Sequence, residues 1–169
     1  MKDPSILIID DSQTTSAVLA GLLEAQGLVQ ITEMNNGADA LVWMNLHKPD
    51  LIFLDIKMPE LDGWLLCEIF SNVRRWRSIP VVLESGLVGA RNIKKGLQLG
   101  AHSYVEKPLT PDKIAEVLDA VFRPEIQYPT VANPDVLKVV KQVVHATRQT
   151  FNLMLGAQTR VAEIVPLAH

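Results

Sequence analysis

Two short runs constrain the fold of this chain more than any other feature. Residues 6–9 read Ile-Leu-Ile-Ile and residues 51–54 read Leu-Ile-Phe-Leu. Each is too short for a helix, so each is a strand. A strand apolar at every position has both faces buried, as in a parallel sheet covered by helices on both sides. The stretches between supply those helices. Residues 12–26 place Ala17, Val18, Leu22 and Leu23 at helical spacing, and Gly27 stands where a helix stop belongs.

The same alternation continues. Residues 29–33 read as a more polar strand and 39–46 as a short helix closed by Lys48-Pro49. After the second apolar strand, 65–73 is helical. Pro80 precedes a strand at 81–83, a position proline tolerates. Residues 91–99 form a helix stopped by Gly100, and 103–105 form the fifth strand. Thr110-Pro111 opens a last helix, with Thr as N-cap and Pro at the first helical position; it runs to Phe122. Five strands alternating with five helices predict an α/β fold with a doubly wound, five-stranded parallel sheet. Right-handed crossovers leave few topologies, of which the order 2-1-3-4-5 is favoured.

Ligands of such sheets bind beyond the carboxyl ends of the strands. Asp10 and Asp11 follow strand 1, and Asp55 follows strand 3. Glu84 and Ser85 follow strand 4; Glu106, Lys107 and Pro108 follow strand 5. Asp10, Asp11, Asp55, Ser85 and Lys107 are therefore expected in one cleft. Three carboxylates held close together repel and call for a cation. Ligation by oxygen alone suits a hard ion, and few protein ligands suit Mg2+. With the Lys107 ammonium and the Ser85 hydroxyl, that ion forms a cradle for three phosphoryl oxygens. A carboxylate is then the nucleophile. Taken singly, each residue has a plainer reading: an N-cap Asp, a turn Ser, a surface Lys. The joint pattern is what points to phosphoryl chemistry.

The net charge of −3, with acids and bases mixed, argues against a nucleic-acid surface. The single cysteine, Cys67, excludes an internal disulfide and a cysteine zinc cage; its helical setting reads as packing. No apolar run reaches a membrane span, and the opening Met-Lys-Asp-Pro lacks the pattern of a signal peptide. A soluble, cytoplasmic protein is expected.

The chain resembles the response-regulator receiver family of two-component signalling, with its CheY-like, flavodoxin-like fold. The resemblance rests on Asp10-Asp11, on Asp55-Ile-Lys-Met-Pro-Glu-Leu-Asp-Gly63, on Ser85 and on Tyr104-Val-Glu-Lys107-Pro108, within residues 4–123. It implies that Asp55 takes phosphate from the phosphohistidine of a sensor histidine kinase or phosphotransfer protein. Asp10, Asp11, Asp55 and the Lys57 backbone carbonyl would hold Mg2+. Lys107 would pair with the phosphoryl group, Ser85 would turn inward to bond it, and Tyr104 would follow. Lys107–Pro108 would be a cis bond. Positions Lys57 and Leu87 would flank the water that removes the phosphate. Lys57 reads either as a solvated loop lysine or as a cation covering the phosphoryl group. Gly86 stands where Ala is common in the family, which should ease access near the phosphate. Glu84 stands where the family is usually uncharged; a place at the sheet's rim, open to solvent or a partner, is expected.

The receiver is expected to span residues 1–123. Residues 124–134, with three prolines, read as a linker. Residues 135–155 then predict a helix, and 157–165 a strand. Val136, Val140, Val143, Val144, Thr147, Phe151 and Met154 lie along one side of this helix and must be buried somewhere. A homodimer through residues 135–155 is the favoured solution; folding back on the receiver is the second, and packing on a further C-terminal domain the third. The segment weakly resembles the start of CheX-like phosphatase domains but lacks their Glu-x-x-Asn pair. His145 reads as packing or surface, and His47 and His102 as helix-end and loop residues.

Three function classes compete. A signalling switch that controls a downstream protein or output module leads; it has no enzymatic activity beyond phosphotransfer to itself and slow self-dephosphorylation. A small aspartyl-phosphate phosphatase is second, but the haloacid dehalogenase type would carry an Asp where Lys57 stands. A phosphorylation-independent scaffold is third, and the acidic group with Lys107 argues against it.

Overall fold

The computed structural model describes residues 3–87 and 89–122. The expected linker, the helix at 135–155 with its dimer, and the strand at 157–165 lie outside the described residues. The elements run β1 (Ser5–Ile9), α1 (Gln13–Ala25), β2 (Gln30–Met34), α2 (Gly37–Met44), β3 (Leu51–Asp55), α3 (Gly63–Asn72), β4 (Val81–Ser85), α4 (Ala90–Gln98), β5 (Ser103–Glu106) and α5 (Pro111–Phe122). All neighbouring strands pair in parallel, in the order β2-β1-β3-β4-β5. The predicted topology holds.

The helices begin where side chains can satisfy their first amides. Ser12, Asn36 and Asp62 accept from Thr15, Asp39 and Leu65 to open α1, α2 and α3. The Asn36 and Asp62 caps start α2 and α3 two residues earlier than hydrophobic spacing alone suggests. Thr110 caps α5, its Oγ1 accepting from the Lys113 amide at 3.4 Å. Gly27 and Gly100, with φ of 86° and 97°, end α1 and α4 in the left-handed region that favours glycine.

Side chains alternate across the sheet. Ile6, Ile8, Leu51, Phe53, Val82 and Val105 face one side, packed with Leu19 and Leu23 of α1 and Ile114 and Val117 of α5. Leu7, Ile9, Ile52, Leu54 and Leu83 face the other, against α2 and α3. Phe53 and Phe70 are fully buried, and a large apolar side chain taken from water contributes about 1.5–3 kcal/mol. Cys67 is buried among these residues, as its helical setting suggested. Its Sγ lies 3.7 Å from the Leu99 carbonyl, and burial pushes the thiol up to about 11.

One close approach positions the end of β3. A Cβ placed on Gly63 would lie 2.1 Å from the Asp55 carbonyl oxygen and 2.8 Å from Ile56 Cα. The Gly63 amide donates to the Ile56 carbonyl at 3.0 Å. Helix α3 therefore starts directly against the backbone of the residue after Asp55, which only a residue without a side chain permits. Gly63→Ala should cost at least about 2 kcal/mol in urea denaturation, because backbone cannot move aside cheaply. Gly86→Ala is the control: a Cβ there meets nothing within 4 Å. Equal stability of the two variants would refute this account of the loop.

Candidate functional site

The alternation that builds the core also sets the site. Asp10 follows Ile8 by two residues, Asp55 follows Phe53, Glu84 follows Val82 and Lys107 follows Val105. Continuing each strand's phase places all four on the α1/α5 side, in a row across β1, β3, β4 and the end of β5. One row thus holds three carboxyl groups and one ammonium.

Lys107 is the centre of that row. Its Nζ donates to Asp10 Oδ2 at 2.9 Å and to Asp55 Oδ1 at 2.6 Å. The carboxylates use their other oxygens on backbone: Asp10 Oδ1 accepts from the Ser12 amide at 2.8 Å, and Asp55 Oδ2 from the Lys57 amide at 2.7 Å. Asp10 and Asp55 are buried, so their charges require such partners. Asp11 is exposed. One carboxylate oxygen from each of Asp10, Asp11 and Asp55 comes within 4.8 Å of the others. An all-oxygen group of this kind fits a small hard cation.

The electrostatics follow from burial. Desolvation raises the Asp55 carboxyl above its ordinary value, although the Lys107 hydrogen bond works against it. Desolvation would lower Lys107, but its bonds to Asp55 and Asp10 win and hold it above the usual lysine value.

Ser85 and Tyr104 are near one another but not bonded to the acidic group. Ser85 lies on the opposite face of β4 from Glu84, and its Oγ accepts from the Leu87 amide at 3.0 Å. The Tyr104 hydroxyl donates to the Leu87 carbonyl at 2.6 Å. Burial raises the Tyr104 phenol. Lys57 has an exposed side chain, and Leu87 is half-buried. The Lys107–Pro108 bond is cis, as expected. Its two ends are tied by the Lys113 ammonium, which donates to the Glu106 and Pro108 carbonyls at 2.6 and 2.8 Å.

Glu84 corrects an expectation. It is not at an exposed rim; its relative exposure is 0 %, and neither carboxyl oxygen has a hydrogen-bond partner. The cause is that β4 continues through Glu84 and Ser85, with Asp55 opposite Glu84 on β3 and Val105 opposite it on β5. Strands on both sides of β4, and the α1/α5 layer over this face of the sheet, leave it no route to solvent.

The chain belongs to the response regulator receiver domain family, which residues 6–119 match. That places it among the receivers of two-component signalling. Protein PilG of Pseudomonas aeruginosa is 33% identical over 115 residues, covering 68% of this chain and 84% of PilG. The probable transcriptional regulator ycf27 of Guillardia theta is 32% identical over 118 residues, 70% of this chain and 45% of that protein. The chain thus spans about half the length of relatives such as ycf27. Among solved structures, the receiver domain of a signal transduction histidine kinase from Syntrophus aciditrophicus superposes with a TM-score of 0.65 at 30% identity. It covers 78% of this chain and 98% of that one. Among the described residues no helix is long and apolar enough to cross a membrane.

The buried acid makes stability depend on pH. Desolvation pushes Glu84 from 4.5 up to about 8; Lys107 opposes this, and Asp10 and Asp55 add to it. Between those two values the folded chain holds a proton that the unfolded chain has released. Stability therefore falls as pH rises through that window and changes no further through this group above it. Glu84→Gln, which cannot ionise, should flatten the decline and stabilise the fold more at about pH 8 than at about pH 5. Urea melts at the two pH values measure this, and parallel profiles for both proteins would contradict it.

Proposed function

We propose that the protein is a phosphorylation switch whose acceptor is Asp55, loaded from a phosphohistidine on a sensor histidine kinase or phosphotransfer protein. The observation that carries this reading is the Lys107 ammonium bridging Asp10 and Asp55 at 2.9 and 2.6 Å beside a third carboxylate. A structural ion pair does not need a third, exposed acid crowded onto it. A phosphoryl site does, because it must hold a counter-ion before the substrate arrives.

Asp10, Asp11, Asp55 and the Lys57 carbonyl would hold Mg2+, which supplies positive charge to the phosphoryl oxygens when bound. The chain's own groups do the rest. The Lys57 amide and Lys107 orient the Asp55 carboxylate. An Asp55 oxygen attacks phosphorus as the P–N bond to the donor imidazole breaks. The electron pair leaves with that nitrogen, and the product is an acyl phosphate on Asp55. Lys107 then has a phosphoryl oxygen to pair with in place of a carboxylate oxygen. Ser85 turns from the Leu87 amide to donate to another, and Tyr104 follows.

The switched surface around α4 and β5 would pass the signal to a downstream protein or output module. On this reading the chain is not an enzyme acting on a separate substrate. Acetyl phosphate with Mg2+ should add one phosphate to the intact chain by mass spectrometry, EDTA should prevent it, and Asp55→Asn should abolish it. A full adduct on Asp55→Asn would show that the acceptor is elsewhere.

The lifetime of the phosphate follows from two side chains. Leu87 is apolar and cannot orient an attacking water by hydrogen bonding. Lys57 is long, cationic and exposed, able to cover the phosphoryl group. Self-dephosphorylation is therefore slow, suited to a sustained signal. Leu87→Glu introduces a group that can hold water and should shorten the half-life by about threefold or more. The decay of the phosphorylated mass after donor removal measures it; an unchanged or longer half-life would remove Leu87 from the account.

A further inference from the structure

Helix α4 is held at its start in a way the other helices are not. Its N-cap is Gly89, with φ of 109° and no side chain to accept from the first turn. What β5 holds is the amide of the N-cap residue itself. Glu106 Oε1 accepts from the Gly89 amide at 3.1 Å, across 17 residues of chain. Glu106 is the register partner of Ser85 on β4 and lies two residues beyond Tyr104, on the same face.

β5 therefore grips the loop between β4 and α4 at two points. The Tyr104 hydroxyl holds the Leu87 carbonyl and the Glu106 carboxylate holds the Gly89 amide. The loop in turn occupies Ser85, through the Leu87 amide on its hydroxyl oxygen. The Tyr104 ring adds a third contact. A Cβ on Gly96 of α4 would lie 3.4 Å from Tyr104 Cδ2 and 2.8 Å from Leu83 Cδ1, so α4 lies close against this part of the sheet.

We propose that Glu106 is a positioning residue that caps α4 from β5 and thereby stabilises the unphosphorylated arrangement of the loop in which Ser85 is turned away from Asp55. This rests on the reading of Asp55 as the acceptor. Ser85 points to the α3/α4 side, whereas Asp55 lies on the α1/α5 side. Carrying the hydroxyl over the strand end withdraws the acceptor from the Leu87 amide, so the loop must follow. Gly89 cannot follow while its amide is held by Glu106. A carboxylate on the amide of a helix N-cap is a charge-assisted bond that also meets the positive end of the helix. Releasing it opposes the switch, and a ligand that needs the switched form binds more weakly by the same factor.

The test titrates the full chain with beryllofluoride, a phosphoryl mimic, in the presence of Mg2+, by calorimetry. Glu106→Ala should bind about two- to tenfold more tightly than the wild type, while its ligand-free melting temperature falls. Glu106→Gln keeps an acceptor oxygen without the charge and should lie between the wild type and Glu106→Ala in both. A merely structural role lowers the melting temperature of Glu106→Ala without tightening binding, and that result overturns the proposal. Glu106→Gln matching Glu106→Ala in affinity also overturns it, because the cap would then not be the cause. Failure of the wild-type chain to bind beryllofluoride at all strikes instead at the acceptor assignment, and the proposal falls with it.

Discussion

The ammonium of Lys107 is what lets two buried carboxylates stand side by side at the ends of β1 and β3. Without it, Asp10 and Asp55 would face each other in a desolvated edge with no opposite charge between them. With it, both have a charge-assisted partner, and each spends its second oxygen on backbone. This bridge also ties the ends of three strands that are remote in sequence. Its span of 97 residues from Asp10 means that the site exists only where the ends of β1, β3 and β5 have come together. Binding chemistry and fold are therefore coupled through one side chain.

Most of the architecture was legible because its signals are local. The apolar runs at 6–9 and 51–54, the glycine stops at 27 and 100 and the Thr110-Pro111 start all act within a few residues. The convergence of Asp10, Asp11, Asp55 and Lys107 was legible for a different reason: topology brings strand ends of a parallel sheet to one edge. What escaped was orientation. A strand that is apolar on both faces carries no phase in its sequence, so the face taken by Glu84 could not be read, nor its burial. Its neighbours resolve this: Val82 packs toward α1 and α5, and Glu84 must follow it. The sequence also offered no sign that Ser85 and Tyr104 meet on the backbone of Leu87, since backbone partners leave no mark in residue identity.

The two faces of the sheet divide the work at its carboxyl edge. The α1/α5 side carries the charged row, closed off from water except above the cleft. The α3/α4 side carries Ser85, Tyr104 and Glu106, all engaged with the loop that opens α4. β4 and β5 are the strands common to both, with alternate residues facing either side. A change in charge on one side has a short path to packing on the other, through the backbone of a strand rather than through a chain of side chains.

Cys67 gives this arrangement an internal gauge. It is the only cysteine in the sequence. The thiol is buried at the junction of α3 with the turn that ends α4, its sulfur against the Leu99 carbonyl. Both its burial and its suppressed ionisation make it inert to alkylation while the helices stay packed. Any reaction it undergoes must pass through a local opening of that junction. The alkylation rate of a single native thiol thus counts how often this buried part of the core opens, without a label being added to the chain.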